Sequence, residues 1–208
     1  MLGIVKVAIL GAGGMGNVHA RQYRKMPDVE LLVFDLDRGK SNSFSERWEA
    51  TPFEDLDQVI SAADAVDVCV PTDIHHELAM RSISAGRAVF VEKPISRTLE
   101  ESRSMMEAAE RAKVPLMPGQ VVRFFPEFAT ARQQVLEGAV GDPAAIRTRR
   151  GGMAPGGGTG WFMDHVRSGG VLLDLAIHDF DWLRWTFGEV RFLYSRSTRA
   201  DRGQGADY

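Results

Sequence analysis

The 208 residues predict an α/β fold built on a doubly wound parallel sheet, and three observations carry that prediction. Apolar, β-branched runs alternate with helical ones from residue 4 to residue 117. The first run leads through a glycine-rich turn straight into a helix. A later run, 88–91, stops abruptly at Glu92-Lys93-Pro94. Short apolar strands suit a sheet covered on both faces, and ligands of such sheets bind beyond the carboxyl ends of the strands. A lysine at the lip of a buried strand is therefore a candidate site residue.

Taken in order, residues 4–10 form the first strand, GAGGMG the turn, and the segment to about Lys25 a helix. A second strand over 30–34 stops at Asp35 and completes a strand-helix-strand unit of about 30 residues. Residues 38–50 and 53–60 pattern as helices, and 66–70, VDVCV, as a strand stopped by Pro71. A helix over 74–84 ends at Gly86, and the strand 88–91 follows. The next helix, 98–113, has Glu100 and Glu101 early and Arg111 and Lys113 late, as the helix dipole favours. Residues 114–117 are the last strand of this sheet, and a domain boundary near Gly119 divides the chain into 1–119 and 120–208. The second part is expected to hold a helix over 126–137, a strand over 144–150, a glycine-rich loop, a helix over 169–187 capped by Ser168, and a strand over 190–197. The loop is either a lid over a ligand or a plain connection.

Composition narrows the function. With 44% apolar and 25% charged residues the chain is globular, and a net charge of −3 without any basic stripe gives nucleic acid no footprint. The one cysteine, Cys69, lies in an apolar strand, which argues for a buried thiol in a reducing, cytoplasmic setting and against a disulfide framework. His75 and His76 are adjacent and no Cys or His recurs at zinc-ligand spacing, so no metal is expected. No apolar run approaches the roughly 20 residues that span a bilayer, so no membrane partner is expected, and Lys6 interrupts the apolar N-terminus that could mimic a signal peptide.

Gly11, Gly13 and Gly16, with Gly14 and Met15 between them, match G-x-G-x-x-G. Alone the pattern is weak, but here it follows a strand, opens a helix, and has Asp35 at the end of the next strand, 19 positions beyond Gly16. Together these make the dinucleotide fingerprint of a Rossmann domain. Glycines let the backbone approach a pyrophosphate, and Asp35 accepts hydrogen bonds from the adenosine ribose. A carboxylate there repels a 2'-phosphate and favours NAD, while Arg38 nearby keeps NADP open. Pro71, Thr72 and His75 follow the strand 66–70 and face the same crevice; His75 either lines a cofactor pocket or is a solvated or helix-capping imidazole, and His76 is read as surface. In the helix over 169–187, Asp174, His178 and Asp181 recur at i, i+4 and i+7 on an otherwise apolar element. Such a stripe must be hydrogen-bonded, either to a ligand or internally to Arg184. Trp182, Trp185 and Phe187 read as core.

The motifs GAGGMG, Pro71-Thr72-Asp73-Ile74-His75, Glu92-Lys93-Pro94, Val122-Arg123-Phe124 and SGGVLLDLAIHDFD stand in one order, and with them the chain resembles the Gfo/Idh/MocA oxidoreductases. The stretch 173–185 is particularly similar to their inositol dehydrogenase branch. The resemblance implies a Rossmann domain followed by an α/β substrate domain on an open, mainly antiparallel sheet, through which such proteins form homo-oligomers. It also implies catalysis by Lys93, Asp174 and His178, with Glu92 and Lys93 joining the cofactor-binding set and Arg123, Trp161, His165 and Asp174 facing substrate. The reaction implied moves a hydride between a secondary alcohol of a sugar, cyclitol or related polyol and the nicotinamide. His178 serves as general base, Asp174 orients and supports the imidazolium or binds a neighbouring hydroxyl, and Lys93 stabilises the alkoxide. Two other readings stay open: an NAD-dependent glycosidase that oxidises its sugar transiently, and a nicotinamide-binding regulatory protein without chemistry. The chain departs from the family pattern at Val70-Pro71, where Thr-Pro is usual, and in length. It is expected to be a fragment whose second domain is incomplete, keeping cofactor binding but not full activity.

Overall fold

The computed structural model describes residues 3–151 and 160–196. The chain divides into two compact units, Met1–Gly119 and Gln120–Tyr208.

The first unit holds six strands: β1 (Val5–Leu10), β2 (Val29–Phe34), β3 (Thr51–Pro52), β4 (Ala65–Val68), β5 (Ala88–Val91) and β6 (Leu116–Pro118). All pair in parallel, in the order β3-β2-β1-β4-β5-β6. Helices α1 (Gly14–Tyr23), α2 (Arg38–Trp48), α3 (Leu56–Ala62), α4 (His75–Ser84) and α5 (Leu99–Ala112) connect them. The apolar runs work because both faces of β1 are covered. Ala8 and Leu10 join Val66, Val68, Val91 and Met105 in one core, while Val7 and Ile9 join Leu31, Val33, Ala20 and Phe44 in the other. Each large side chain buried in this way stabilises the fold by about 1.5–3 kcal/mol. The strand order turns back between β1 and β4, where Cys69 N–H still donates to Leu10 O at 2.8 Å, and this reversal point is where the glycine turn lies.

Boundaries shift in informative ways. The strand read over 66–70 ends at Val68, and the helix read from 53 begins at Leu56, where the Asp55 carboxylate accepts from Gln58 N–H. Thr51–Pro52 pairs with β2 as a strand too short to show any pattern. A 3-10 turn, Thr72–Ile74, precedes α4. Helix α5 starts where Thr98 and Glu101 form a reciprocal capping box.

The second unit contains a 3-10 turn Val121–Phe124, then α6 (Pro126–Leu136), a second 3-10 turn Trp161–Met163, α7 (His165–Ser168), α8 (Gly170–Asp174) and α9 (Ile177–Phe187). Trp182 is its apolar anchor: the ring packs edge-on to Phe128 and Phe187, and its indole N–H donates to Phe128 O at 3.0 Å. Three expectations are corrected here. Among the described residues, the strands over 144–150 and 190–197 do not form, and no strand of the anticipated antiparallel sheet is seen after residue 120. Alternating residues make a strand only when a neighbouring backbone accepts the ladder, and Phe192, Leu193 and Tyr194 instead stand 84–91% exposed. The single helix over 169–187 is broken, because Leu175 and Ala176 N–H both turn back to Val171 O, closing α8 before α9 opens. Ser168 closes α7 and Gly169 stands at the cap of α8, although the Ser168 hydroxyl still accepts from Gly170 N–H at 3.1 Å. Most of the glycine-rich loop, 152–159, lies outside the described residues.

Candidate functional site

The glycine turn is built by close approaches. Gly11 has φ +104°, and a Cβ there would stand 2.6 Å from Cys69 O; a Cβ on Gly16 would stand 2.1 Å from Gly11 O. Only hydrogen fits at either place. Around Gly13 and Gly14 nothing lies within 4 Å of such a Cβ, so the outer side of the turn is open. Helix α1 begins there with Gly13 as a cap that offers no side chain, so no side chain satisfies its first N–H groups, the arrangement that suits an anion. Asn17 braces the turn, donating to Ala12 O at 3.1 Å and Gly13 O at 2.8 Å while accepting from the Trp48 indole at 2.8 Å. Asp35 braces it from the next strand: its two oxygens accept from Ala12 N–H and Asp37 N–H, each at 2.8 Å. Beside Asp35, a cleft of about 290 Å³ runs past Leu36, Arg38 and Phe53. Arg38 forms an exposed ion pair with Glu54 at 2.9 Å, and Met15 is 45% exposed beside the turn. An open glycine cradle, an uncapped helix start and a carboxylate at the strand end together fit a dinucleotide.

The segment after β4 is clamped to the segment after β5. His75 is 1% exposed, with Nδ1 2.8 Å from Pro94 O and Nε2 2.9 Å from Val70 O. Burial pushes its pKa below the usual imidazole value against the pull of those carbonyls. That burial rules out the solvated imidazole the sequence left open: His75 ties Val70 to Pro94, joining the loop that carries Pro71 and the buried Thr72 to the segment after β5. Glu92 and Lys93 lie half-buried at the end of β5, and Glu92 Oε2 accepts from Lys93 N–H at 2.9 Å.

Sequence reasoning missed a cluster on the α1 face of the sheet. Asp67, fully buried in the middle of β4, meets His19 Nδ1 at 2.9 Å, and His19 Nε2 meets Glu92 Oε1 at 3.1 Å. The Tyr23 hydroxyl and the Cys69 thiol complete the surroundings of Asp67. Burial opposes charge on His19, but the hydrogen bonds and charges of Asp67 and Glu92 outweigh it and raise its pKa to about 10. Burial likewise opposes charge on Glu92, and His19 outweighs it, holding that carboxyl below its usual range. For Cys69, burial and the Asp67 charge both push the thiol up. His19, Asp67 and Cys69 also bring their ligand atoms within 4.8 Å of one another, a metal-capable grouping that linear spacing could not reveal, and they are hydrogen-bonded among themselves. The available signal was Asp67 itself, a carboxylate in the centre of an apolar strand, which must have a partner.

In the second unit Asp174 and His178 are both buried, at 4% and 9% exposure. The helix break puts Asp174 at the end of α8 and His178 in the first turn of α9. Asp181 does not pair with Arg184. It takes a two-pronged bond from Arg123, at 2.7 and 2.6 Å, while Arg184 pairs with Glu189 at 2.7 Å. Arg123 also lies 5.4 Å above the Trp185 ring, so this expected substrate contact is engaged within its own unit. Asp179 pairs with Arg150. Trp161 stacks on Phe162 at 4.0 Å, and exposed His165 opens α7 behind the Asp164 cap.

Residues 5–120 match the oxidoreductase family with an NAD-binding Rossmann fold, GFO_IDH_MocA, and residues 128–208 match the GFO/IDH/MocA C-terminal domain. Inositol 2-dehydrogenase of Rhizobium meliloti is 34% identical, covering 89% of this chain and 56% of its own length. The scyllo-inositol 2-dehydrogenase (NAD(+)) of Bacillus subtilis is 32% identical, covering 88% and 54%. Among solved structures, scyllo-inositol dehydrogenase of Lactobacillus casei with bound NAD(H) and scyllo-inositol superposes with TM-score 0.77 at 27% identity, over 88% of this chain and 56% of that one. The chain thus spans about half the length of the curated relatives it matches. Among the described residues no helix is long and apolar enough to cross a membrane. With both of its parts matched in order, the chain belongs to the GFO/IDH/MocA oxidoreductase family.

Proposed function

We propose that the whole protein is an NAD-dependent dehydrogenase acting on a secondary alcohol of a cyclitol, or of a related sugar or polyol. The glycine turn carries the reading: it is open at Gly13 and Gly14, closed by contact at Gly11 and Gly16, and braced by Asp35. Residues 1–119 serve the cofactor, and residues 120–208 belong to the part that serves substrate and self-association. The N–H groups of the turn bind the phosphates, and Asp35 accepts from the ribose with the lone pairs its two backbone bonds leave over. Its charge, with Arg38 directed to Glu54, supports NAD over NADP. When bound, the nicotinamide supplies the hydride acceptor. His178 takes the hydroxyl proton, Asp174 orients and supports the imidazolium, and the Lys93 ammonium stabilises the oxygen as it becomes an alkoxide. The inositol dehydrogenases among the relatives favour a cyclitol over the glycosidase and non-catalytic readings.

The test is NADH formation by the whole protein against cyclitols, aldoses and sugar acids, with NAD and NADP in parallel. His178→Ala and Lys93→Met are expected to lower turnover by about 10² to 10⁴. A fall of only a few fold in both would remove these residues from the reaction.

A further inference from the structure

The buried bridge around His19 has the geometry of a positioning device. His19 stands on α1, the helix that the glycine turn opens, and its two ring nitrogens face two carboxylates, one within β4 and one just past β5. Asp67, 0% exposed, holds Nδ1 from within β4. Glu92, just past β5, takes Nε2 with Oε1 and the Lys93 amide with Oε2. The Phe90 ring meets the imidazole edge-on at 5.6 Å and limits its rotation. An unbroken path of hydrogen bonds therefore runs from the centre of the sheet through α1 to the backbone of Lys93, all inside the first unit.

We propose that His19 is a positioning residue: anchored on Asp67 and acting through Glu92, it fixes the backbone of Lys93 relative to the glycine turn. The inference rests on the functional reading above, which gives the turn and Lys93 their work. A charged imidazole donates at both nitrogens at once, which a neutral one cannot do, so the bridge needs the imidazolium. Glu92 is then an internal strut, with His19 on one carboxylate oxygen and Lys93 N–H on the other.

The test compares wild type, His19→Gln, Glu92→Gln and the double variant in the 208-residue chain, with thermal melting to verify folding. Two readouts follow: NADH affinity by fluorescence titration, and the NMR signal of Lys93 after ¹³C-methylation of the lysines, assigned by its loss in Lys93→Arg. Each single variant is expected to move the Lys93 signal and weaken NADH binding by about tenfold, the worth of one charge-assisted hydrogen bond. The double variant should be no worse than the poorer single one, since both break the same link. Effects that add, or a lowered melting temperature with the Lys93 signal and NADH affinity unchanged, would overturn the proposal. Wild type that binds no NADH would sink the functional reading alone, because the Lys93 signal still reports the link. If the His19 variants do not fold, ¹⁵N spectra of the wild-type imidazole decide: both nitrogens protonated at neutral pH support the bridge, and a neutral tautomer refutes it.

Discussion

His19 carries a stability that depends on pH with a definite sign. Its pKa is raised to about 10 in the folded protein, against about 6.5 in an unfolded chain. Its contribution is therefore fully present below about 6.5 and is lost as pH rises through about 10. The difference in melting temperature between wild type and His19→Gln should be largest in mildly acidic buffer and should shrink steadily toward pH 10; a difference that grows with pH would contradict the charged bridge. At this scale the sequence was uneven. Gly11, Gly13, Gly16 and Asp35 were legible because the fingerprint they form lies within one strand-helix-strand unit. The His19–Asp67 pair spans 48 positions and was not, since only the fold brings α1 over β4.

Helices were legible where their ends announce themselves, as at Glu100, Glu101 and Arg111 of α5 and Pro126 of α6. The break between α8 and α9 was hidden, because Leu175 and Ala176 are good helix formers and nothing local forbids continuing through them. That break spoils the regular spacing that put Asp174, His178 and Asp181 on one helix face, and Asp181 turns instead to Arg123 across 58 positions. The strands expected over 144–150 and 190–197 do not appear among the described residues for a different reason: alternation names a face and not a partner. Asp181→Asn keeps the shape but removes the charge that Arg123 binds. Because Arg123 is 39% exposed, the cost should be about 1–2 kcal/mol. Urea unfolding monitored by tryptophan fluorescence would register it through Trp185, over which Arg123 lies; an unchanged midpoint would show that the pair is idle.

At the scale of the molecule, the two units differ in completeness of pairing. The first has a six-stranded sheet with both faces covered and two apolar cores of its own. Its sheet could be anticipated because parallel strands need helical crossovers, and the crossovers were visible as alternating patterns. The second unit, among its described residues, rests on Trp182 and a few ion pairs. Residues 1–119 alone are expected to unfold cooperatively in urea and to bind NADH within about threefold of the 208-residue chain, a difference of about 0.7 kcal/mol. Calorimetry and fluorescence titration would check this, and a molten 119-residue chain would show that the second unit completes the first.

For anyone redesigning cofactor preference, the two bonds that Asp35 makes to Ala12 N–H and Asp37 N–H set a constraint. Asp35→Ser would remove the charge that repels a 2'-phosphate, but it would also untie the glycine turn. Titration of that variant should show weaker binding of NADH and of NADPH alike, instead of a clean exchange of one for the other. Asp35→Asn would keep one acceptor and turn an amide donor toward a backbone N–H, so it should also bind both more weakly. A successful redesign has to supply the turn with a new acceptor before it touches the ribose.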